Sequence, residues 1–179
     1  MAKLYHRTAL PRSNTSVPAR FLVKQGLIKG RVLDYGCGQG HDCDTYGWEG
    51  YDPNTIRLEY STPPKRQKYD TIVCTYVLNV VPPDIQVEII KTMLRLMKVD
   101  AVAYISVRRD IPDNMEGEGQ WTVELPFPSI KKTKSYETYV MRTKERTKHE
   151  EHDTRASDTG RAVRYPAQVG THRESLQRD

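Results

Sequence analysis

The segment VLDYGCGQGHD, residues 32–42, constrains the fold more than any other part of the chain. Val32 and Leu33 lead into Asp34, and Gly36, Gly38 and Gly40 then recur at alternate positions. Glycine enters left-handed backbone without penalty and lets the main chain come very near a ligand. A short buried strand stopped by such a turn predicts an α/β sheet that binds its ligand beyond the carboxyl ends of the strands. A phosphate loop would place Lys-Ser or Lys-Thr after the glycines, and His41-Asp42 stand there instead. A dinucleotide turn has the spacing G-x-G-x-x-G and holds a pyrophosphate at a helix N-terminus. The spacing here is G-x-G-x-G, and Asp34 and Asp42 would repel a pyrophosphate. An acidic glycine turn suits a cationic, phosphate-free ligand.

The rest of the pattern agrees with alternating helices and strands. SVPARFLVKQGLIKG reads as a helix capped by Ser16, with Pro18 in its first turn and Phe21, Leu22 and Ile28 on its buried side. RVLDYG and WEGYD read as short strands, the second broken by Pro53. YDTIVCTYVLNVV is the most apolar run and reads as a central parallel strand. DIQVEIIKTMLRLMK is an amphipathic helix with Ile85, Ile89, Met93 and Met97 at every fourth position, and AVAYISVRR is a further buried strand. WTVEL and YETYVMRT predict an antiparallel strand pair joined by PFPSIKKTKS. The expected architecture is a compact, trimmed Rossmann-like sheet with helices on both faces and a C-terminal antiparallel pair. Residues 1–143 form the expected domain, in which 1–30 is a basic N-terminal segment and helix. Residues 144–179 change to a charged composition poor in large apolar residues and predict a flexible tail.

Asp52 follows the glycine turn at the distance of an acid that accepts hydrogen bonds from ribose hydroxyls. VLDYGCGQG, GYDPN and YDTIVCTYVLNVVPP together resemble class I S-adenosylmethionine-dependent methyltransferases. S-adenosylmethionine carries a sulfonium and an α-amino group and no phosphate, as the acidic turn requires. The resemblance implies a cofactor site of Asp34, Tyr35, Gly36, Cys37, Gly38, Gly40, Asp52, Pro53, Thr75 and Tyr76. Asp34 would face the methionine amino group, and Asp52 the ribose. RTALPRSNTSVPARFLVKQGLI, LDYGCGQGHDCD, GYDPN and YVLNVVPP further resemble methyltransferases associated with DNA phosphorothioation systems and their small phage or prokaryotic relatives. That likeness covers roughly the first 110 residues and implies a DNA-modification or phage setting. One departure stands out. The stretch NTIRLEYSTPPKRQKY, between Asp52 and Asp70, is too short for a full helix and a third strand. The acidic contact that adenine usually finds after that strand has no counterpart, which leaves adenine to groups near Tyr69–Thr71.

In this fold the residues after YDTIVC approach the transferred methyl, so Tyr76 and Asn79 are the candidate catalytic residues. Methyl transfer needs in-line alignment, and a general base is optional. VVPPD is not the Asp/Asn/Ser-Pro-Pro-aromatic motif of exocyclic-amine DNA methylation, and Cys74 lacks the Pro-Cys setting of cytosine-C5 enzymes. Asn79 either holds an acceptor or caps the turn before Pro82, and Tyr76 either lines the pocket or packs in the core. His41 reads as a surface or capping residue more readily than a base. Cys37, His41 and Cys43 form C-x3-H-x-C without a fourth ligand, so no metal is expected.

The formal net charge of +5 is unevenly spread. The first 33 residues carry seven bases and no acid, residues 34–52 are acid-rich, and lysines and arginines return over 131–148. Basic flanks around an acidic centre are compatible with a nucleic-acid partner, and equally with an ordinary solvated surface. The leading expectation is a methyltransferase acting on a nucleic acid or nucleotide. The alternatives are a small-molecule or protein methyltransferase, or a non-catalytic cofactor-binding subunit. Three cysteines without framework spacing and no apolar run of membrane-spanning length predict a cytoplasmic protein, host cytoplasm if viral. The sequence leaves the oligomeric state open.

Overall fold

A computed structural model of the chain describes residues 13–65, 68–112, 115 and 119–143. The expectation for 144–179 and the N-terminal bases Lys3, Arg7 and Arg12 lie outside the described residues.

The polypeptide forms a six-stranded sheet. The strands are β1 (Val32–Tyr35), β2 (Glu49–Tyr51), β3 (Tyr69–Thr75), β4 (Met97–Arg108), β5 (Ser129–Lys132) and β6 (Tyr136–Arg142). Their spatial order is β2-β1-β3-β4-β6-β5. β1 pairs in parallel with β2 and β3, β3 pairs in parallel with β4, and β6 runs antiparallel to both β4 and β5. The chain leaves β1 toward β2 on one side and returns as β3 on the other. This reversal opens a crevice at the carboxyl edge, where α/β sheets bind ligands. No strand lies beyond β2 among the described residues, in line with the short 53–68 connection.

Strand alternation supplies two apolar faces. Ile72, Cys74, Ala103, Ile105, Tyr139 and Met141 pack with Met93 and Leu96 of helix α3 (Pro83–Leu96). On the opposite face, Val32, Val73, Val102, Tyr104 and Val140 pack with Ala19 and Leu22 of helix α1 (Val17–Lys24). Helices therefore cover both faces. The Ser16 hydroxyl caps α1 by accepting a hydrogen bond from the Ala19 N–H at 3.2 Å, and Pro18 is buried in the first turn.

Three details differ from expectation. The central strand stops at Thr75 rather than running to Val81, because Tyr76 takes a φ of 63° and Leu78–Val80 forms a short 3-10 turn. The partner of β6 is Ser129–Lys132, and residues 121–125 form no strand. The apolar alternation of Val123 and Leu125 is spent on packing against the α3-side core instead of on strand pairing. A short helix, α2 (His41–Tyr46), also follows the glycine turn directly.

Candidate active site at the carboxyl edge of the sheet

β1 and β2 end in register, Tyr35 beside Tyr51, and β3 ends with Thr75 beside Ser106 of β4. The turn after β1 therefore meets the exit of β3 across the crevice. Gly36, Gly38 and Gly40 all have positive φ, at 81°, 57° and 74°. A Cβ on Gly36 would lie 2.2 Å from Val77 Cγ2, and one on Gly40 would lie 2.0 Å from the Tyr60 ring. Two of the three glycines thus make room for side chains of this chain.

Asp52 closes the turn from the β2 side. Its Oδ2 accepts the Gly38 N–H at 2.9 Å, and its Oδ1 accepts the Asn54 N–H at 2.8 Å. The Gly36 and Cys37 N–H groups both donate to the Tyr51 carbonyl, at 2.6 and 3.2 Å. Asp34 is buried at the end of β1, with the Cys43 thiol 3.8 Å from its Oδ2. The hydrogen bond to Cys37, then burial and Asp34, push the Cys43 thiol well above its ordinary range. Both cysteine sulfurs lie against Gly50, where a Cβ would sit 2.8 and 2.9 Å from them.

The sequence-predicted residues divide into three groups. Gly36, Cys37, Gly38, Asp52, Thr75 and Tyr76 gather at the crevice, with Asp34 beneath it and Pro53 exposed beyond Asp52. The Tyr35 side chain belongs to the core, edge-on to Tyr51 at 5.3 Å, and burial raises its phenol to about 12. Gly40 is buried under Tyr60. Asp42 does not face the turn: it is buried and accepts the Ser16 N–H at 2.8 Å, tying α2 to the start of α1. Tyr69–Thr71 begins β3 at the amino edge, with Tyr69 bonded to Glu49 and Thr71 to Lys29, so it cannot serve as an adenine platform.

Asn79 is completely buried, and its amide is spent on backbone. Its Oδ1 accepts the Arg108 N–H at 2.6 Å, and its Nδ2 donates to the Trp121 carbonyl at 2.9 Å and the Arg108 carbonyl at 3.3 Å. In place of an acceptor-holding group, the structure has a positioning residue that ties the β3 exit to the end of β4. VVPPD begins α3, with Pro82 at the cap and Pro83 in the first turn. Tyr76 directly follows β3 and takes a left-handed φ of 63°. Left-handed φ in a non-glycine residue costs of order 1–3 kcal/mol and concentrates at functional sites. Its N–H donates to the Ser106 carbonyl at 2.8 Å, which holds that conformation. Next to it, Thr75 Oγ1 is buried and has no hydrogen-bond partner among the described residues.

Sequence reasoning missed Arg57, Tyr60 and Asp44. Tyr60 donates to Asp44 at 2.7 Å, and Arg57 bonds Asp44, Glu59 and the Gln39 carbonyl in the glycine turn. Arg57 and Tyr60 lie in NTIRLEY, just after Asp52, and Asp44 lies in HDCD. Among the described residues no cluster of three or more His, Cys, Asp or Glu side chains is arranged to hold a metal ion, and no helix is long and apolar enough to cross a membrane.

Comparison with solved structures places this geometry. A structure from work on the conversion of a disulfide bond into a thioacetal group during echinomycin biosynthesis matches with a TM-score of 0.55 and 16% identity, over 74% of this chain and 83% of its own. The PH0226 protein of Pyrococcus horikoshii OT3 matches with a TM-score of 0.52 and 16% identity, over 70% and 87%. The N-methyltransferase NodS of Bradyrhizobium japonicum WM9, solved with S-adenosyl-L-homocysteine, matches with a TM-score of 0.51 and 15% identity, over 72% and 86%. At these identities the likeness is one of fold. No curated protein matches the chain.

The residues present fit S-adenosylmethionine. The turn carries no lysine, and its N–H groups at Gly36, Cys37 and Gly38 are spent on the Tyr51 carbonyl and on Asp52, which leaves the Asp52 carboxylate as its polar wall. Asp52 has lone pairs left beyond its two backbone bonds, and the buried Thr75 hydroxyl at the end of β3 has no partner among the described residues. The family model for the methyltransferase domain matches residues 2–178, nearly the whole sequence. The chain belongs to the methyltransferase-domain family, and its cofactor is S-adenosylmethionine.

Proposed function

We propose that the enzyme methylates a nucleic acid or a nucleotide in a DNA-modification or phage setting. When bound, S-adenosylmethionine supplies an electrophilic methyl carbon on its sulfonium sulfur. The protein's part is placement, since in-line displacement depends first on alignment. The glycine turn and Asp52 hold one wall of the crevice, and the strained Tyr76 backbone with Thr75 forms the other.

The observation that carries the nucleic-acid reading is where the basic residues meet. Arg108 ends β4 at the carboxyl edge and Arg109 follows it, and the Arg109 N–H donates to the Ser135 carbonyl in the β5–β6 turn at 3.0 Å. Lys132 and the exposed Lys134 flank that turn, on the same edge as the reaction crevice. Lys131 lies 5.5 Å from the Phe21 ring of α1, so two basic segments far apart in sequence become neighbours. Arg108 pairs with Asp110, and Lys132 and Arg109 pair with the buried Glu137. Those pairs hold the cations in place, and phosphates bind to such positioned cations and backbone N–H groups. The resemblance to phosphorothioation-associated methyltransferases supports the DNA setting.

The test is transfer of labelled methyl from S-adenosylmethionine to DNA, RNA, protein and metabolite pools in parallel. Label in nucleic acid is expected, and Lys134→Glu should weaken retention on nucleic acid and reduce its salt slope by about one. Label confined to protein or metabolites would favour the alternative acceptors, and no label in any pool would favour a non-catalytic binder.

A further inference from the structure

Among the described residues no strand lies beyond β2. Residues 53–60 fold back over the glycine turn instead. The Tyr60 carbonyl accepts the Asp52 N–H at 2.9 Å, and the Tyr60 ring covers the side of Gly40 and Gly50 where a Cβ would stand. Arg57 lies over that ring, 4.6 Å from its centre. Its guanidinium reaches the Gln39 carbonyl at 2.9 Å, inside the turn, while also bonding Asp44 and Glu59. Tyr60 Oη completes the ring of contacts at Asp44 Oδ1.

We propose that Arg57 and Tyr60 form a clamp beside β2 that sets the affinity for the cofactor by holding the glycine turn and Asp52 in their binding geometry. The proposal rests on S-adenosylmethionine being the ligand of this turn. Arg57 is a cation beside a site for a cationic ligand, and the two carboxylates Asp44 and Glu59 offset its charge. What it contributes is geometry: a planar fork fixes several acceptors at once, which lysine cannot do. A turn already held in place loses less conformational freedom on binding. Arg57 and Tyr60 are therefore positioning residues, acting through Gln39, Gly40 and Asp52.

The test titrates the full chain and its variants with S-adenosylmethionine and S-adenosylhomocysteine in a calorimeter, and measures amide exchange in the ligand-free protein. Arg57→Gln should raise the dissociation constant about tenfold, the factor for losing one charge-assisted hydrogen bond, and Tyr60→Phe about threefold. Exchange at the Gly38 and Gly40 amides should quicken, with core amides in β3 and β4 unchanged. Arg57→Lys should recover little of the affinity. Leu58→Ser, at a side chain 82% exposed in the same segment, should bind as the wild type does. Should Arg57→Gln fail to fold, Tyr60→Phe carries the comparison. Wild-type affinity in the clamp variants overturns the proposal, whatever the exchange rates. A wild-type chain that binds neither ligand removes the cofactor reading and the clamp with it, and the first titration distinguishes that case.

Discussion

Gly36→Ala is the sharpest probe of how the cofactor turn is built. Gly36 has a φ of 81°, and left-handed backbone costs an L-residue about 1–2 kcal/mol. Its added methyl would stand 2.2 Å from Val77 Cγ2, with Cγ1 and Cβ at 3.2 and 3.3 Å, so the whole isopropyl group faces it. Valine has few alternative rotamers, and such overpacking costs about 1–3 kcal/mol. The expected destabilisation is their sum, about 2–5 kcal/mol. Gly26 has a comparable φ of 64°, but a Cβ there would meet nothing within 4 Å. Gly26→Ala should therefore cost only the backbone share, about 1–2 kcal/mol. Urea denaturation with unchanged m-values reads both. Gly36→Ala combined with Val77→Ala should recover about 1–2 kcal/mol of coupling, since the second change removes the obstacle created by the first. If Gly36→Ala proves no worse than Gly26→Ala, or if Val77→Ala adds to the damage instead of relieving it, the packed-turn account is refuted.

Other expectations follow from the same geometry. Asp52→Asn replaces an oxygen that accepts a backbone N–H with a donor group or a neutral acceptor, and should raise the dissociation constant for S-adenosylmethionine by about tenfold or more in calorimetry, beyond the clamp variants. Asn79→Ala leaves the Arg108 N–H and the Trp121 carbonyl without their buried partner, and should destabilise the fold by about 2–4 kcal/mol in chemical denaturation. A melting temperature within experimental error of wild type would return Asn79 to the list of acceptor-binding candidates. The thiols of Cys43 and Cys74 are both raised in the folded protein, Cys74 by burial. Folding thus favours their protonated forms, so their contribution is complete below the ordinary thiol value of 9.0 and is lost as pH rises above it. The melting temperature should fall from about pH 9 upward, and Cys43→Ala should shallow that decline; a flat alkaline profile would contradict it.

What could be read from the sequence was what is encoded within a few residues. The glycine turn announces itself because three left-handed positions follow an apolar strand. Asp52 lies at a spacing set by one short helix and one strand. That no described strand stands between β2 and β3 in the chain was legible from length alone, since too few residues separate Asp52 from β3. Other features depend on partners distant in sequence. Asp42 looked like part of an acidic turn until Ser16, 26 residues away, proved to be its partner. Asn79 is explained by Arg108 and Trp121, 29 and 42 residues on. WTVEL carries the alternation of a strand, but that alternation records burial on one side, which a packed loop between β4 and β5 satisfies equally. Gly40 looked like a ligand contact, and the Tyr60 ring that fills its open side could not be foreseen from local pattern.

The central claim is that this turn selects a cationic, phosphate-free cofactor. Parallel calorimetric titrations of the wild-type chain with S-adenosylmethionine, ATP and NAD test it most directly. Saturable binding of S-adenosylmethionine that Asp52→Asn weakens, with no heat from either phosphate-bearing nucleotide, is the predicted result. Binding of ATP or NAD as tight as that of S-adenosylmethionine would contradict it.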